Sequence, residues 1–165
     1  MQKLIIIRGN SGSGKTTLAK ELQKRLGRNT MLISQDVIRR EMLKVKDGAD
    51  TKALPLMKEL LRYGYFNCEV TILEGILIAD WYKSLFELAM QLFGDNIFSY
   101  YYDLTFDETL KRHWTKPNCN DFGEEEMRRW WQDRDYSEIL NEELITCEQT
   151  VDDIADKILF SVLSS

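Results

Sequence analysis

The sequence predicts a three-layer α/β fold in which helices cover both faces of a mostly five-stranded parallel sheet. Short apolar runs such as Leu4–Ile7 are typical of strands that are buried on both faces. These runs alternate with longer segments of helical periodicity, such as Thr16–Leu26, and this alternation favours a parallel sheet. We expect residues 1–165 to form a single domain, because this length suits one hydrophobic core.

The predicted elements follow one another in a regular order. Leucines recur at helical spacing in Thr16–Leu26, and Gly27 is placed to end that helix. The further predicted strands are Thr30–Ser34, a run within Glu69–Leu77, Ile97–Leu104 and a short run within Asn141–Cys147. The further predicted helices are Val37–Val45, Leu54–Tyr63 with Gly64 at its end, Trp81–Phe93, Phe106–His113, Glu124–Asp135 and Thr150–Leu163. Thr150 and Asp153 resemble a capping box at the start of the last helix.

Residues 114–140 interrupt this order. The first part, Trp114–Gly123, has no apolar period and is rich in turn-forming residues. The predicted helix Glu124–Asp135 begins with three glutamates and carries arginines later, which is the order that the helix dipole favours. We therefore expect residues 114–140 to leave the sheet and form a lid.

The composition limits the environment and the partners of the chain. The net charge of -5 speaks against a nucleic-acid partner, because nucleic-acid phosphates would be repelled. The apolar run Leu4–Ile7 is too short for a membrane span. The three cysteines are scattered and lack metal-ligand spacing, so we expect free thiols. Together these observations predict a cytoplasmic protein without membrane association.

The residues Gly9–Thr16 match the phosphate-binding pattern G-x-x-x-x-G-K-[ST] at every defined position. Small residues allow backbone N–H groups to converge on a polyphosphate, and the following helix points its positive end at the same place. Lys15 is expected to bind the β- and γ-phosphates, and the Thr16 hydroxyl is expected to bind Mg²⁺. The pattern therefore predicts the P-loop NTPase fold.

ATP is favoured over GTP because the guanine-recognition tetrapeptide N-K-x-D is absent from the sequence. The predicted nucleotide-binding residues are Gly9, Asn10, Ser11, Gly12, Ser13, Gly14, Lys15, Thr16 and Thr17.

An acidic residue follows the second predicted strand, where a ligand of a parallel sheet is expected to bind. Asp36 could orient an acceptor hydroxyl and accept its proton, which predicts a catalytic base. Arg39, three residues later, is expected to bind the acceptor. The alternative is that Asp36 only caps the helix that follows it.

Two further carboxylates and one arginine are candidates for the same site. Glu74 ends the run Val70–Leu73, Asp103 follows Tyr100–Tyr102, and either could hold Mg²⁺ or its water shell beside the substrate. Glu74 is favoured because Gly75 would allow a ligand to approach closely. Arg112 lies between the fourth strand and the lid and is a candidate catalytic cation. The alternative for the lid arginines Arg128, Arg129 and Arg134 is a solvated helix surface with pairs such as Glu124–Arg128 and Glu125–Arg129.

Gly9–Thr16 together with Asp36 and Arg39 resembles the P-loop kinases of the nucleoside and nucleotide kinase type. The segments Ser34–Asp36 and Ile72–Leu77 look like the corresponding segments of uridine kinases. The Asp36-x-x-Arg39 pair is similar to that of polynucleotide 5′-kinases and zeta toxins, in which the matching Asp activates the acceptor and the Arg grips it. Chloramphenicol phosphotransferases share the same general plan.

This resemblance implies an ATP-dependent phosphotransferase that acts on a hydroxyl of a small acceptor, such as the nucleoside uridine. Two alternatives stay open at this point. A polynucleotide 5′-hydroxyl kinase would need a basic groove that runs from the cleft. A non-enzymatic ATP-binding module would bind nucleotide without transferring phosphate.

Overall fold

A sheet of five parallel strands forms the centre of the fold, as the computed structural model describes it for residues 1–117 and 119–165. The strands are β1 (Lys3–Gly9), β2 (Thr30–Ser34), β3 (Val70–Gly75), β4 (Ile97–Tyr102) and β5 (Glu142–Ile145). Their order across the sheet is β2-β3-β1-β4-β5, and each pair of neighbours is parallel. The predicted three-layer α/β fold with a five-stranded parallel sheet is therefore confirmed.

Helices connect the strands and cover the two faces of the sheet. The α-helices are α1 (Lys15–Leu26), α2 (Ala53–Asn67), α3 (Lys83–Phe93), α4 (Phe106–Trp114), α5 (Glu124–Trp130) and α6 (Val151–Ser164). A π-helix, Val37–Met42, follows β2, and a short 3₁₀-helix, Gly94–Asn96, precedes β4. No helix in the described ranges is long and apolar enough to cross a bilayer.

The side chains of β1 supply both halves of the hydrophobic core. Leu4 and Ile6 belong to the apolar cluster that α2 and α3 complete on one face. Ile5 and Ile7 belong to the cluster that α1 and α6 complete on the other face. Successive side chains of a strand point to opposite faces, so an uninterrupted apolar run is what a strand between two helical layers requires.

The segment after β2 forms a π-helix and not the predicted α-helix Val37–Val45. Its wide turn is closed by a hydrogen bond from the Leu43 N–H to the Ile38 carbonyl (3.0 Å), and the Val45 N–H, beyond the helix, donates to the Arg39 carbonyl (2.9 Å). The helix ends at Met42, and Lys44 takes a left-handed conformation (φ 53°) that an α-helix does not permit.

Gly64 does not end α2, contrary to the sequence-based expectation. The helix continues to Asn67, with Gly64 buried inside it. A Cβ atom on Gly64 would lie 2.3 Å from Oγ1 of Thr71, a residue of β3. This glycine is required because helix and strand approach each other closely, and not because the helix must stop.

Three other predicted boundaries shift by a few residues. The helix α3 begins at Lys83 and not at Trp81, the strand β4 ends at Tyr102 and not at Leu104, and α5 ends at Trp130 and not at Asp135. The predicted capping box of α6 is confirmed. The Thr150 hydroxyl accepts from the Asp153 N–H (3.1 Å), and the Asp153 carboxylate accepts from the Thr150 N–H (3.4 Å).

Candidate active site

The phosphate-binding loop joins β1 to α1 and depends on glycine at three positions. Gly9 (φ 149°), Gly12 (φ 80°) and Gly14 (φ 105°) all lie in the region that disfavours other residues. A Cβ on Gly9 would lie 2.8 Å from the Cβ of Tyr102, and one on Gly12 would lie 2.6 Å from the Thr109 carbonyl oxygen. The loop is therefore shaped by its own backbone and by close contact with β4 and α4.

The backbone donors at the start of α1 have no acceptor in the described part of the chain. These donors are the N–H groups of Gly14, Lys15, Thr16 and Thr17. No side chain caps this helix either. Unpaired donors and the positive end of the helix dipole form a place that an anion such as a polyphosphate would fill.

Lys15 extends from the first turn of α1 back over the loop. Its Nζ donates to the Asn10 carbonyl (2.7 Å) and to Ser13 Oγ (3.3 Å), and both of these acceptors are neutral. Burial lowers the pKa of Lys15 to about 8, although the nearby Glu74 carboxylate opposes this shift. A buried ammonium group that has only neutral acceptors would be stabilised by a phosphate.

Glu74 lies beside Thr16, the residue whose hydroxyl is predicted to bind Mg²⁺. Its Oε1 accepts from Thr16 Oγ1 (3.2 Å) and from Ser34 Oγ (2.5 Å). Glu74 is only 2% exposed and makes no ion pair with any described residue within 4.0 Å. A buried carboxylate that makes no direct ion pair and lies next to a hydroxyl fits a hard cation such as Mg²⁺. No described group of three acidic, His or Cys residues could hold a metal alone, so phosphate and water oxygens would complete the coordination.

Asp103, the other candidate for the metal, lies elsewhere. Burial and the nearby Asp103 carboxylate raise the pKa of Tyr136, and the Asp103 backbone N–H donates to the Ile145 carbonyl (2.9 Å). These contacts direct Asp103 towards β5 and its preceding segment. Of the two carboxylates, only Glu74 contacts a residue of the phosphate-binding loop.

The prediction that Gly75 would allow a ligand to approach closely is wrong, because Gln35 fills the space beside this glycine. A Cβ at this position would lie 2.4 Å from Oε1 of Gln35. Gln35 Oε1 accepts from the Leu77 N–H (3.1 Å), and its Nε2 donates to Asp47 (2.9 Å) and to the Tyr82 hydroxyl (2.8 Å). The glycine thus accommodates a buried amide that ties β3 to the loop around Asp47.

Asp36 is exposed at the end of β2 and does not cap a helix. Its backbone is helical (φ -65°, ψ -41°), and its side chain makes no capping hydrogen bond. The carboxylate, 63% exposed, pairs with Arg39 Nη2 (3.3 Å) and Arg40 Nε (3.5 Å). The Arg39 side chain is only 18% exposed, and its Nε has no partner among the described residues. A largely buried guanidinium with a free donor can bind an acceptor molecule next to Asp36.

Arg112 reaches the phosphate-binding loop from α4. Its Nη1 donates to the Ser13 carbonyl (2.8 Å), and its Nε donates to Glu108 (3.3 Å) one turn earlier in the same helix. The structure therefore brings Arg112 to the loop that carries Lys15. Its remaining N–H groups could bind phosphate oxygens there.

Of the lid arginines, Arg128 and Arg129 lie on the surface of α5, and Arg134 is exposed beyond the end of that helix. Arg128 pairs with Glu124 (2.7 Å), as expected for the solvated surface. Arg129 pairs with Glu126 (3.7 Å) and not with Glu125. The carboxylate of Glu126 also accepts from the Gly123 N–H (2.9 Å), which draws this side chain to the start of the helix.

Lys116 is a further charged residue near the site, and the sequence analysis did not identify it. Burial lowers the pKa of Lys116 and the Arg112 guanidinium adds to this shift, whereas the carboxylates of Asp36 and Glu74 oppose it. Its charge also lowers the pKa of Lys15. The spacing of four residues after Arg112, one helical turn, was the available signal. It was overlooked because Trp114–Gly123 was interpreted only as a turn-rich segment.

Two aromatic side chains of the predicted lid lie beside Arg40. Phe122 and Trp130 pack edge-to-face with their ring centroids 5.1 Å apart. The Arg40 guanidinium lies 5.7 Å from the centre of the first ring and 5.9 Å from the second. His113, buried at the end of α4, lies within hydrogen-bonding distance of the Phe122 carbonyl (2.9 Å) and secures this part of the lid.

Comparison with protein families agrees with this geometry. A family model described as an AAA domain matches residues 4–97. The chain belongs to this AAA domain family. The matched part of the AAA domain includes the phosphate-binding loop, Asp36, Arg39 and Glu74, whereas Arg112 and Lys116 lie beyond it. No curated protein matches the sequence at a significant level.

Solved structures share the fold of this AAA domain at low sequence identity. An APS kinase from Mycobacterium tuberculosis, in complex with AMPPNP and APS, is 18% identical with a TM-score of 0.65, over 99% of this chain and 98% of the other. A gluconokinase from Sinorhizobium meliloti is 13% identical with a TM-score of 0.62, over 98% and 92%. A shikimate kinase from Acinetobacter baumannii, in complex with shikimate, is 17% identical with a TM-score of 0.59, over 99% and 94%. At these identities the similarity concerns the fold.

Proposed function

We propose that this protein is an ATP-dependent phosphotransferase that moves the γ-phosphoryl group to a hydroxyl of a small acceptor molecule. The observation that carries the proposal is the set of charges at the phosphate-binding loop. Lys15 and Lys116 are buried or partly buried amines whose pKa values are lowered, and the carboxylates of Asp36 and Glu74 act on both. Perturbed titratable groups that converge beside an unfilled set of backbone donors are typical of an active site.

The residues of the chain divide into those that bind ATP and those that bind the metal. The free N–H groups at the start of α1 and the ammonium of Lys15 bind the β- and γ-phosphates. Thr16 and Glu74 hold Mg²⁺, either directly or through its water shell. The metal, when bound, neutralises negative charge on the phosphate oxygens. Arg112 and Lys116 add positive charge from the side of α4 and the lid.

Asp36 is the general base of the proposed reaction. The acceptor hydroxyl transfers its proton to the Asp36 carboxylate while its oxygen forms a bond to the γ-phosphorus. The bond between that phosphorus and the bridging oxygen breaks, and ADP leaves. Arg39 and Arg40 lie within 3.5 Å of the carboxylate and orient it. The exposure of Asp36 leaves room for an acceptor to reach it.

The acceptor is proposed to be a small molecule and not a polynucleotide. Proteins with this fold include those named gluconokinase, APS kinase and shikimate kinase, which supports a small acceptor. The net charge of -5 also disfavours a polyanionic chain. Uridine remains one member of the proposed acceptor class, on the strength of the resemblance of Ile72–Leu77 to uridine kinases.

Consumption of MgATP should be measured against a panel of nucleosides, nucleotides, sugars, aminoglycosides, hydroxy acids and 5′-hydroxyl oligonucleotides. One acceptor class is expected to stimulate turnover. Lys15→Ala should lower that stimulated rate on the order of 10²–10³-fold, because the γ-phosphate loses a buried cation. Lys20→Ala, an exposed lysine on the same helix, should leave it unchanged. Equal rates for Lys15→Ala and wild type would contradict the assignment of the loop, and binding of ATP without any stimulation would favour a nucleotide-binding module.

Lys116→Ala is expected to reduce kcat/KM for phosphotransfer on the order of 10²-fold, the usual effect of removing one donor from a developing negative charge. Lys116→Arg should retain part of the activity because it keeps the charge. Lys111→Ala is the matched control, since Lys111 is an exposed residue of α4. Steady-state kinetics of the three variants check this prediction. If Lys116→Ala behaved like Lys111→Ala, Lys116 would have no part in the site.

A further inference from the structure

The side chain of Asn10 is directed at the lid, although its place in the phosphate-binding loop suggested a nucleotide contact. Its Nδ2 donates to the Gln132 carbonyl (2.7 Å), and its Oδ1 accepts from the Gln132 N–H (2.8 Å). One amide thus forms two hydrogen bonds with one residue's backbone, and Asn10 is only 5% exposed. Gln132 lies two residues after the end of α5, where the lid returns to the sheet.

A second contact holds the same returning segment at the end of β1. Arg8, which is fully buried, donates through Nη2 to the Asp135 carbonyl (2.9 Å) and to its carboxylate (2.8 Å). The same carboxylate oxygen also accepts from the Ala79 N–H (2.9 Å). Asp135 is therefore attached to the sheet, and Gln132, three residues earlier, is attached to the phosphate-binding loop.

The lid also contacts the loop through its helix α5, and Arg112 of α4 contacts the loop just before the lid begins. Met127 of α5 is buried, and its Cε would lie 3.0 Å from a Cβ on Gly12. Just before the lid begins, Arg112 of α4 donates to the Ser13 carbonyl (2.8 Å). The lid itself thus contacts the phosphate-binding loop through α5 and through the segment that follows α5.

We infer that Asn10 is a positioning residue, which couples occupation of the phosphate-binding loop by ATP to the position of the lid through its pair with Gln132. This inference rests on the proposed function for the identity of the ligand. A polyphosphate that binds the loop restricts the backbone of Asn10, and two buried hydrogen bonds pass this restriction to the lid. By linkage, a lid held in place favours the same arrangement of the loop.

The test is hydrogen exchange of the lid amides, with and without AMPPNP, in the full-length protein. Asn10→Ala removes both hydrogen bonds from the loop side. Gln132→Pro removes the N–H donor from the lid side and leaves the loop sequence intact. The backbone of Trp131 (φ -59°, ψ 128°) already suits a residue that precedes proline. Asp133→Ala is the matched control, because Asp133 is an exposed residue of the same segment.

AMPPNP is expected to slow exchange of the lid in the wild type and in Asp133→Ala. In Asn10→Ala and in Gln132→Pro the protection of the lid amides by AMPPNP should fall roughly tenfold, which is the usual effect of losing a coupling between a ligand and a distant segment. Because the coupling is reciprocal, AMPPNP affinity, measured separately by calorimetry, should fall by about the same tenfold factor. The double variant should lose no more protection than Asn10→Ala alone, because Asn10→Ala already removes both hydrogen bonds.

Three results would overturn the inference. Undiminished protection in both variants would show that the pair carries no coupling. Additive losses in the double variant would show that each change perturbs the lid independently. Loss of AMPPNP binding in a folded Asn10→Ala protein would make Asn10 part of the nucleotide site itself. A wild-type protein that does not bind AMPPNP would instead refute the proposed function, and the coupling with it.

Discussion

Replacing Asp36 by asparagine is expected to lower phosphotransfer on the order of 10²–10⁴-fold, the usual contribution of a positioned general base. Asparagine has nearly the same shape but cannot accept the acceptor's proton at neutral pH. The affinity for ATP should hardly change, because the phosphates are bound by the loop and Lys15 and not by Asp36. The measurement is kcat with the acceptor identified from the panel, together with calorimetric binding of AMPPNP to the same variant.

Glu41→Gln is a suitable control for Asp36→Asn. Glu41 lies in the π-helix that follows Asp36, is exposed, and has no ion pair within the described ranges. Both variants change the net charge by the same amount, so an effect of overall charge would appear in both. An Asp36→Asn enzyme that transfers phosphate at the wild-type rate would leave Asp36 without a role in the chemistry.

Replacing Arg8 by methionine is expected to reduce the free energy of unfolding by about 3–5 kcal/mol, the usual cost of removing one partner of a buried ion pair. The Arg8 guanidinium is fully buried and binds the carboxylates of Asp135 (2.8 Å) and Glu142 (2.7 Å). It also donates to the Leu77 carbonyl (3.1 and 2.9 Å). Methionine fills much of the same volume but leaves two carboxylates close together without a cation.

Urea denaturation of Arg8→Met beside Arg62→Met would measure this effect. Arg62 pairs with Glu59 (2.7 Å) at the surface, and its loss should cost less than about 1 kcal/mol. Adding Glu142→Gln to Arg8→Met should restore part of the lost stability, because it removes one of the unpaired charges. If the two arginine variants were equally stable, the buried cluster would not stabilise the fold.

The elements that were predicted correctly are those whose signal is local. A buried strand, a glycine-rich turn and an amphipathic helix follow one another in Lys3–Leu26, so the phosphate-binding loop could be located to the residue. Asp36 and Glu74 could be placed beside it because the carboxyl ends of parallel strands meet at one edge of the sheet. In each case a short stretch of sequence and one topological rule were sufficient.

The residues that were missed or misinterpreted depend on contacts between distant parts of the chain. Gly64 and Gly75 look alike in sequence, but one permits α2 to approach Thr71 and the other accommodates Gln35. Lys116 joins the site only because the chain after α4 returns to the loop. A residue in a turn belongs to no helix or strand periodicity from which the direction of its side chain could be predicted.

By itself, the sequence determined the α/β fold, the phosphate-binding loop and the carboxylates that lie beside it, because each depends on periodicity or on a motif of a few residues. Only the tertiary structure decided which side chains hold that loop in place. Arg8 and Asn10 find their partners in Asp135 and Gln132, more than 100 residues away along the chain. The physical reason is that a buried hydrogen bond between distant segments depends on how the segments pack, and packing leaves no local pattern in the sequence.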